Sequence, residues 1–286
     1  MNKSRTYLIT GATGDIGSRV VNLLLNQGER PRVFVRDATK ALTLYGDRVD
    51  IVVGDLTDEA SMRTALRGID ALFLVNTGPE LAQRDRMAAK IARTIGVKHI
   101  VKLSSMDVKH SVGTGPWHER GEAAIRESGV PFTFVQPAGF MSNALGWANS
   151  IKSEGTVRSC TGEGKIAFIH LDDIAAVALT ALTMEGYDGE SLPISGPEAL
   201  SYREMTSKIG AALGKSLTFQ TISEDQARQQ LVSSGESSAV VEAHILLWRA
   251  IREGHLATVT GEVERVIGRK SITFEEWAVE NAAAFR

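Results

Sequence analysis

Six short apolar runs alternate with helical patterns over the first half of the chain, and that alternation restricts the fold more than any other feature. The runs are "TYLIT" (6–10), "RVFVR" (32–36), "VDIVVGD" (49–55), "ALFLV" (71–75), "HIVKLS" (99–104) and "PFTFVQ" (131–136). Most lack strict apolar–polar alternation, as strands covered on both faces do. After the first run, Ile16, Val20, Leu23 and Leu24 recur at helical spacing, and the pattern stops at "NQG", where Gly28 suits a helix end. Thr57 or Asp58 suits the cap of "EASMRTALRG", and residues 80–95 and 117–128 also read as helices. Strand, helix, strand, repeated, requires right-handed crossovers. The expectation is an α/β fold built on a doubly wound parallel sheet.

The pattern loosens after about residue 137. "GKIAFIHLDDIAAVALTAL" (164–182) reads as a strand, a turn with Asp172 or Asp173 as cap, then a buried helix. "ESLPIS" (190–195) and "SLTFQTIS" (216–223) read as strands, and 201–213, 236–254 and 274–284 as helices. No repeat, linker or low-complexity tract interrupts the chain. The expected division is a larger domain over 1–196, with 141–164 contributing to a smaller lobe, and a C-terminal α+β substrate lobe over 197–286.

With 286 residues, 43% of them hydrophobic, the chain is long enough for such a pair. A formal net charge of −2 gives no electrostatic footprint for nucleic acid. No apolar run reaches the ~18 residues of a membrane span, and the N-terminus lacks the apolar core of a secretion signal. A cytoplasmic protein without nucleic-acid or membrane partners is expected. Cys160 is the only cysteine, which excludes an internal disulfide and a thiolate zinc site; no metal is expected. It is either a catalytic thiol or a small packing residue.

The first run ends in "GATGDIG", with Gly11, Gly14 and Gly17 in the spacing of a phosphate-binding turn. Gly11 suits the tight turn leaving the strand. Gly14 lets backbone approach a pyrophosphate, and Gly17 lets the helix pack against the sheet. Thr13, Asp15 and Ile16 complete the turn, whose N–H groups and helix dipole favour an anion. This is the fingerprint of a Rossmann domain, and it predicts a dinucleotide. The second run ends in Arg36, which suits a 2′-phosphate and favours NADP(H). Asp37 follows, and turned inward it would serve NAD(H) instead. Asp55 and Leu56 end the third run, near the expected adenine. Asn76 and Thr77 follow the fourth, alongside the dinucleotide. Each is also an ordinary turn or loop residue.

"TGATGDIG", the "VRD" and "GDLTD" that follow the second and third runs, "SSM" (104–106), "WHERGEAAIRESGVPFTFVQPAGFMSN" (117–143) and "IHLDDIAAVA" (169–178) together resemble the atypical short-chain dehydrogenase/reductase superfamily, and within it the NmrA-like proteins. The likeness covers most of residues 5–182; the C-terminal third matches loosely. The resemblance implies an NAD(P)H-dependent reductase of quinones, dyes or aromatic compounds. It equally admits a regulator that binds the dinucleotide and reduces nothing, or an accessory component of an aromatic polyketide hydroxylation system. A homodimer or a partner protein is compatible with any of these.

Typical members of the superfamily use a Tyr and a Lys four residues later, on one helix face, as the proton-donating pair. Here Tyr7, Tyr45, Tyr187 and Tyr202 are followed at that spacing by Gly11, Val49, Ser191 and Thr206, so the pair is missing. The helix beginning "WHERGEAA" carries His118 and Glu122 at i and i+4 instead. A carboxylate one turn away would favour a protonated imidazole, making His118 a proton donor that Glu122 orients. The alternative is a polar helix face near solvent. The resemblance implies a His at this helix start close to the nicotinamide. Lys102 is a second catalytic candidate, though a lysine inside a strand can simply point outward. Ser104 and Ser105 end that strand, where hydroxyls can bind ribose or substrate, or merely cap it. An electron-poor conjugated substrate accepts hydride without a strong acid, and Phe140, Met141, Trp147, Phe168 and Trp248 are candidate apolar walls for it. Each also fits a place in the core of the smaller lobe.

Overall fold

The computed structural model describes residues 5–286. The elements run β1 (Tyr7–Thr10), α1 (Asp15–Asn26), β2 (Arg32–Val35), α2 (Ala38–Tyr45), β3 (Asp50–Val53), α3 (Glu59–Leu66), β4 (Ala71–Leu74), α4 (Leu81–Ile95), β5 (His99–Leu103), α5 (Gly115–Ser128) and β6 (Phe132–Pro137). There follow α6 (Ala148–Glu154), β7 (Thr156–Ser159), β8 (Lys165–Ile166), α7 (Leu171–Thr183), β9 (Ser191–Ile194), β10 (Leu200–Ser201), α8 (Tyr202–Leu213), β11 (Thr218–Thr221), α9 (Glu224–Ser233), α10 (Ser238–Arg252), α11 (Glu262–Ile267) and α12 (Phe274–Glu280). The chain packs into two compact units. One takes the residues up to Ser105 with Trp117–Gln136 and Ile174–Leu192; the other takes Met106–Pro116, Pro137–Asp173 and Pro193–Arg286.

The seven-stranded sheet has the order β3-β2-β1-β4-β5-β6-β9. Pairing is parallel from β3 through β6, with Ile9 opposite Val33 on one side and Phe73 on the other. β1, β4 and β5 are buried along their whole length, which is why their sequences read as continuous apolar runs. β3, at the sheet edge, is more open. The order reverses between β1 and β4, and in open α/β sheets that reversal opens a crevice beyond the strands' C-terminal ends. Leu8, Leu72, Ile100 and Phe134 of the strands pack with Met62 and Leu66 of α3, Ala88 and Ile91 of α4, and Ile125 of α5. Fully burying each large apolar side chain contributes about 1.5–3 kcal/mol.

In the second unit, β7 pairs in parallel with β11, and β8 antiparallel with β10. Its core joins Met141, Phe168, Tyr202, Met205, Phe274, Trp277 and Phe285. Two expectations change here. Asp172 and Asp173 lie inside the first turn of α7 and do not cap it. The Asp173 carboxylate is buried, 2.6 Å from the Arg269 guanidinium, and accepts a hydrogen bond from Ile272 N–H. The span 224–233, given no element from the sequence, is helix α9, held by a capping box between Ser223 and Gln226.

Candidate active site

Gly11 leaves β1 with φ +59°, and a Cβ there would meet the Val75 side chain at 3.0 Å. Gly14 is the N-cap of α1, extended and with no side chain capping the helix. The first-turn N–H groups of α1 are therefore open to an anion. A Cβ on Gly14 would touch only the Gly11 carbonyl oxygen, at 3.3 Å, whereas one on Gly17 would lie 2.2 Å from that atom. Ile16 is buried beneath the turn, Asp15 is exposed, and Thr13 is half-buried. A tether unseen in the sequence holds the loop: the Tyr45 hydroxyl, at the end of α2, donates to the Ala12 carbonyl. Burial pushes that phenol up to about 12, so it stays a donor.

Arg36 stands exposed beyond β2 and makes no hydrogen bond among the described residues. Asp37 caps α2, its carboxylate accepting from Thr39 N–H at 2.8 Å. One carboxylate oxygen of Asp37 is thereby engaged at the helix start. Asp55 accepts from the hydroxyl and N–H of Thr57 at 2.7 and 2.8 Å. Those bonds, aided by the charges of Arg36 and Arg84, hold its carboxyl below the usual range. Leu56 packs partly against the core. Thr77 is exposed, and its carbonyl accepts from Arg84.

Beneath these loops lies a buried polar cluster. Lys102 does not point outward, because β5 is buried throughout. Its ammonium sits 2.6 Å from Asp85 Oδ2 of α4, both side chains wholly buried. Asn76 donates to the other Asp85 oxygen at 3.1 Å and to the Leu81 carbonyl at 2.9 Å, so its amide NH2 is turned into the protein. α5 crosses this pair at Gly121, where a Cβ would lie 2.3 Å from Asp85 Oδ2. His118 is three residues earlier on the same helix face, with Nδ1 buried and without a hydrogen-bond partner.

The expected partnership of His118 with Glu122 is corrected. Glu122 accepts from Ser104 Oγ at 2.5 Å, Gln136 Nε2 at 2.8 Å and Arg126 at 3.1 Å. Burial, and then the positive charge of Lys102, push the imidazole down to about 3, so it is neutral rather than cationic near neutral pH. Ser104 is likewise corrected as a ribose ligand, since its hydroxyl is buried and given to Glu122. Ser105 beside it is half-buried.

Stability should follow this chemistry. The unfolded imidazole takes a proton near pH 6.5, the folded one only near 3, so stability is complete above 6.5 and falls as pH drops below it. His99, also pushed down by burial, acts in the same direction. Urea denaturation from pH 7 to 5 should show a loss of up to about 1.4 kcal/mol per pH unit for each such histidine, and His118→Gln should make the dependence shallower.

In the second unit, Met141 and Phe168 are core residues, 0% and 4% exposed, which corrects their assignment as substrate walls. Trp147 and Trp248 pack half-buried on that core, Trp147 against Tyr202 with ring centres 4.9 Å apart. Phe140 is half-buried and forms a β-bridge with Ile169. Cys160 is buried and its thiol is pushed up by burial, as suits packing rather than nucleophilic chemistry. A small cavity missed in the sequence has Met106, Ile166 and Leu256 on its walls together with His110 and His255, whose rings stack at 6.1 Å.

An uncapped glycine turn before α1, at the reversal point of a parallel sheet, defines a dinucleotide-binding α/β protein. Residues 11–185 match the NAD(P)H-binding family, and the chain belongs to it. The chain is 40% identical to the (4-alkanoyl-5-oxo-2,5-dihydrofuran-3-yl)methyl phosphate reductase of Streptomyces griseus, over 97% of this chain and 98% of that protein. It is 36% identical to the NAD(P)H azoreductase of Xenophilus azovorans, with the same coverage. The NADPH-dependent quinone oxidoreductase of Escherichia coli, solved with NADPH, superposes with a TM-score of 0.87 at 25% identity, over 96% of this chain and 99% of that one. No helix among the described residues is long and apolar enough to cross a membrane.

Proposed function

We propose that this protein is an NAD(P)H-dependent reductase of quinone-like or other conjugated aromatic carbonyl compounds, with NADPH the preferred reductant. The observation that carries the reading is the open, uncapped glycine turn in a chain 40% and 36% identical to two reductases. The residues present fit the dinucleotide. The α1 N-terminus behind Gly14 receives the pyrophosphate, Arg36 the 2′-phosphate, and Asp55 the adenine end. Asp37 caps α2 through one carboxylate oxygen, while the Arg36 guanidinium beside it stands exposed. When bound, the cofactor supplies the hydride.

The protein's part is orientation and a hydrogen bond. A neutral imidazole has one N–H donor and one acceptor nitrogen. His118 gives that N–H to the oxygen of the acceptor as negative charge collects there. A quinone or an extended conjugated carbonyl spreads that charge over its ring system, so no strong acid is required. This accounts for a fold that works without Tyr-x-x-x-Lys.

The test is NADPH oxidation against a panel of quinones, azo dyes and conjugated lactones. Turnover of at least one class is expected. NADPH binding with no turnover across the panel would instead favour a dinucleotide-sensing regulator. Arg36→Ala should weaken NADPH binding by about 10- to 100-fold, the 1–3 kcal/mol of a charge-assisted contact, and leave NADH nearly untouched. Equal affinities in the unmodified protein would remove Arg36 from the 2′-phosphate site.

A further inference from the structure

We propose that Tyr45 is a positioning residue for the dinucleotide: its hydroxyl holds the Ala12 carbonyl inward, and so turns the Thr13 N–H of the glycine turn outward to the pyrophosphate. The proposal rests on the cofactor site of the proposed reductase and needs none of its chemistry. Tyr45 is the last residue of α2 and is 2% exposed. Helix side chains lean back toward the N-terminus, and this one reaches from the end of α2 to the glycine turn. There its hydroxyl donates to the carbonyl of Ala12, a residue that is wholly buried. A trans peptide keeps its C=O and N–H on opposite sides of one plane. With the Ala12 carbonyl directed into the protein, the N–H of Thr13 faces the other way. Thr13 is half-buried, and its N–H makes no hydrogen bond among the described residues. It adds a donor to the first-turn N–H groups of α1, which no side chain caps.

The Ala12–Thr13 peptide is also the part of the loop most able to turn over. Gly14 N–H bonds the Gly11 carbonyl at 2.9 Å and closes a four-residue turn, of which this is the central peptide. Such turns exist in two forms that differ by a half-rotation of the central peptide and leave the ends in place. The other form would set the Ala12 carbonyl, a negative dipole end, where a phosphate must come. It requires φ > 0 at Thr13, which keeps a negative φ. The Thr13 side chain therefore resists the rotation, and the Tyr45 hydroxyl adds a bond that only the N–H-outward form can make. A phenylalanine would fill the same space as Tyr45. Among the described residues the hydroxyl has one partner, and that partner is this carbonyl.

Tyr45→Phe removes the hydroxyl alone. Calorimetric titration gives Kd for NADPH and for NADH in the unmodified protein and in the variant. Both should weaken by the same factor, about tenfold, as the loss of one aimed hydrogen bond predicts. Their ratio should stay that of the unmodified protein, because Arg36 and Asp37, at the other end of α2, are untouched. NMR of protein labelled with 15N-threonine reads the aim of the peptide directly, the signal being assigned through Thr13→Ser. On addition of NADP+ the Thr13 amide proton should move downfield in the unmodified protein, and less so in Tyr45→Phe. Tyr45→Met, which fills the space with a flexible chain, is the second hydroxyl-free variant should the first fail to fold.

Affinities within about twofold of the parent overturn the proposal. So does weakening of NADPH alone, since the change then lies at the Arg36 end of α2. A Thr13 amide that NADP+ leaves unmoved in the unmodified protein overturns it as well. Failure of both variants to fold makes the hydroxyl a structural group only, with the same result. No measurement here needs turnover. A protein that binds NADPH and reduces nothing loses the reductase reading and keeps this one; an active enzyme whose affinities ignore Tyr45→Phe does the opposite.

Discussion

Gly14→Val should abolish NADPH binding in a protein that stays folded. The new Cβ meets only the Gly11 carbonyl oxygen, at 3.3 Å, so the fold yields by a few tenths of an ångström. The two methyl groups beyond it fill the space above the first-turn N–H groups of α1, where a pyrophosphate must come into contact. Affinity should fall by at least about 100-fold, the loss of roughly 3 kcal/mol of backbone–phosphate contact. Gly17→Ala is the opposite case. Its Cβ would lie 2.2 Å from the Gly11 carbonyl oxygen and 2.6 Å from the carbonyl carbon, both backbone atoms that cannot swing aside. That variant should lose the fold along with the cofactor. Calorimetric titration beside circular dichroism separates the two. Unchanged affinity in Gly14→Val would show that the nucleotide does not use this loop.

Lys102→Met should be strongly destabilising. It leaves the Asp85 carboxylate in a fully buried position with only the Asn76 amide for company. Breaking a buried pair by removing one partner costs about 3–5 kcal/mol. Neutralising Asp85 as well, in Lys102→Met/Asp85→Asn, should recover most of that loss. The check is the midpoint of urea denaturation for the single and double variants at pH 7. A single variant as stable as the parent would mean that Asp85 has taken up a proton or found water, and that the pair contributes little to the fold.

Much of this architecture was legible in the sequence, and the reasons lie in particular residues. β1, β4 and β5 are covered on both faces, so "YLIT", "ALFL" and "HIVKL" stand out as unbroken apolar runs. The glycine turn stands out because its chemistry is local. α9 did not, because "EDQARQQLVS" buries only Ala227 and has no apolar stripe; its one signal is the Ser223–Gln226 capping box. Asp85 escaped notice for a related reason. Its isolated acidity looks like part of a solvated helix face, yet Leu81, Asp85, Ala88, Ala89 and Ala92 fall on one buried stripe of α4. A carboxylate in that register has to find a cation. The lysine it finds was in view, in the middle of a strand with no outward face. The charge state of His118 was misread because i, i+4 spacing to Glu122 is visible in a sequence, whereas the pull of Ser104 and Gln136 on that carboxylate is not.

The division of the chain into interleaved segments has a consequence for how the protein is made. β9, the last strand of the large sheet, is synthesised only after the loops and helices that follow β6. Until then the β6 backbone lacks the partners it later finds there, among them the Glu190 carbonyl for Phe134 N–H and the Ile194 carbonyl for Ala138 N–H. At about 5–20 residues per second on the ribosome, that edge stays open for several seconds. A nascent chain halted in that interval presents a bare apolar strand to its neighbours, a template for aggregation. Fragments ending near Gln136 should therefore be insoluble although they contain the whole glycine turn.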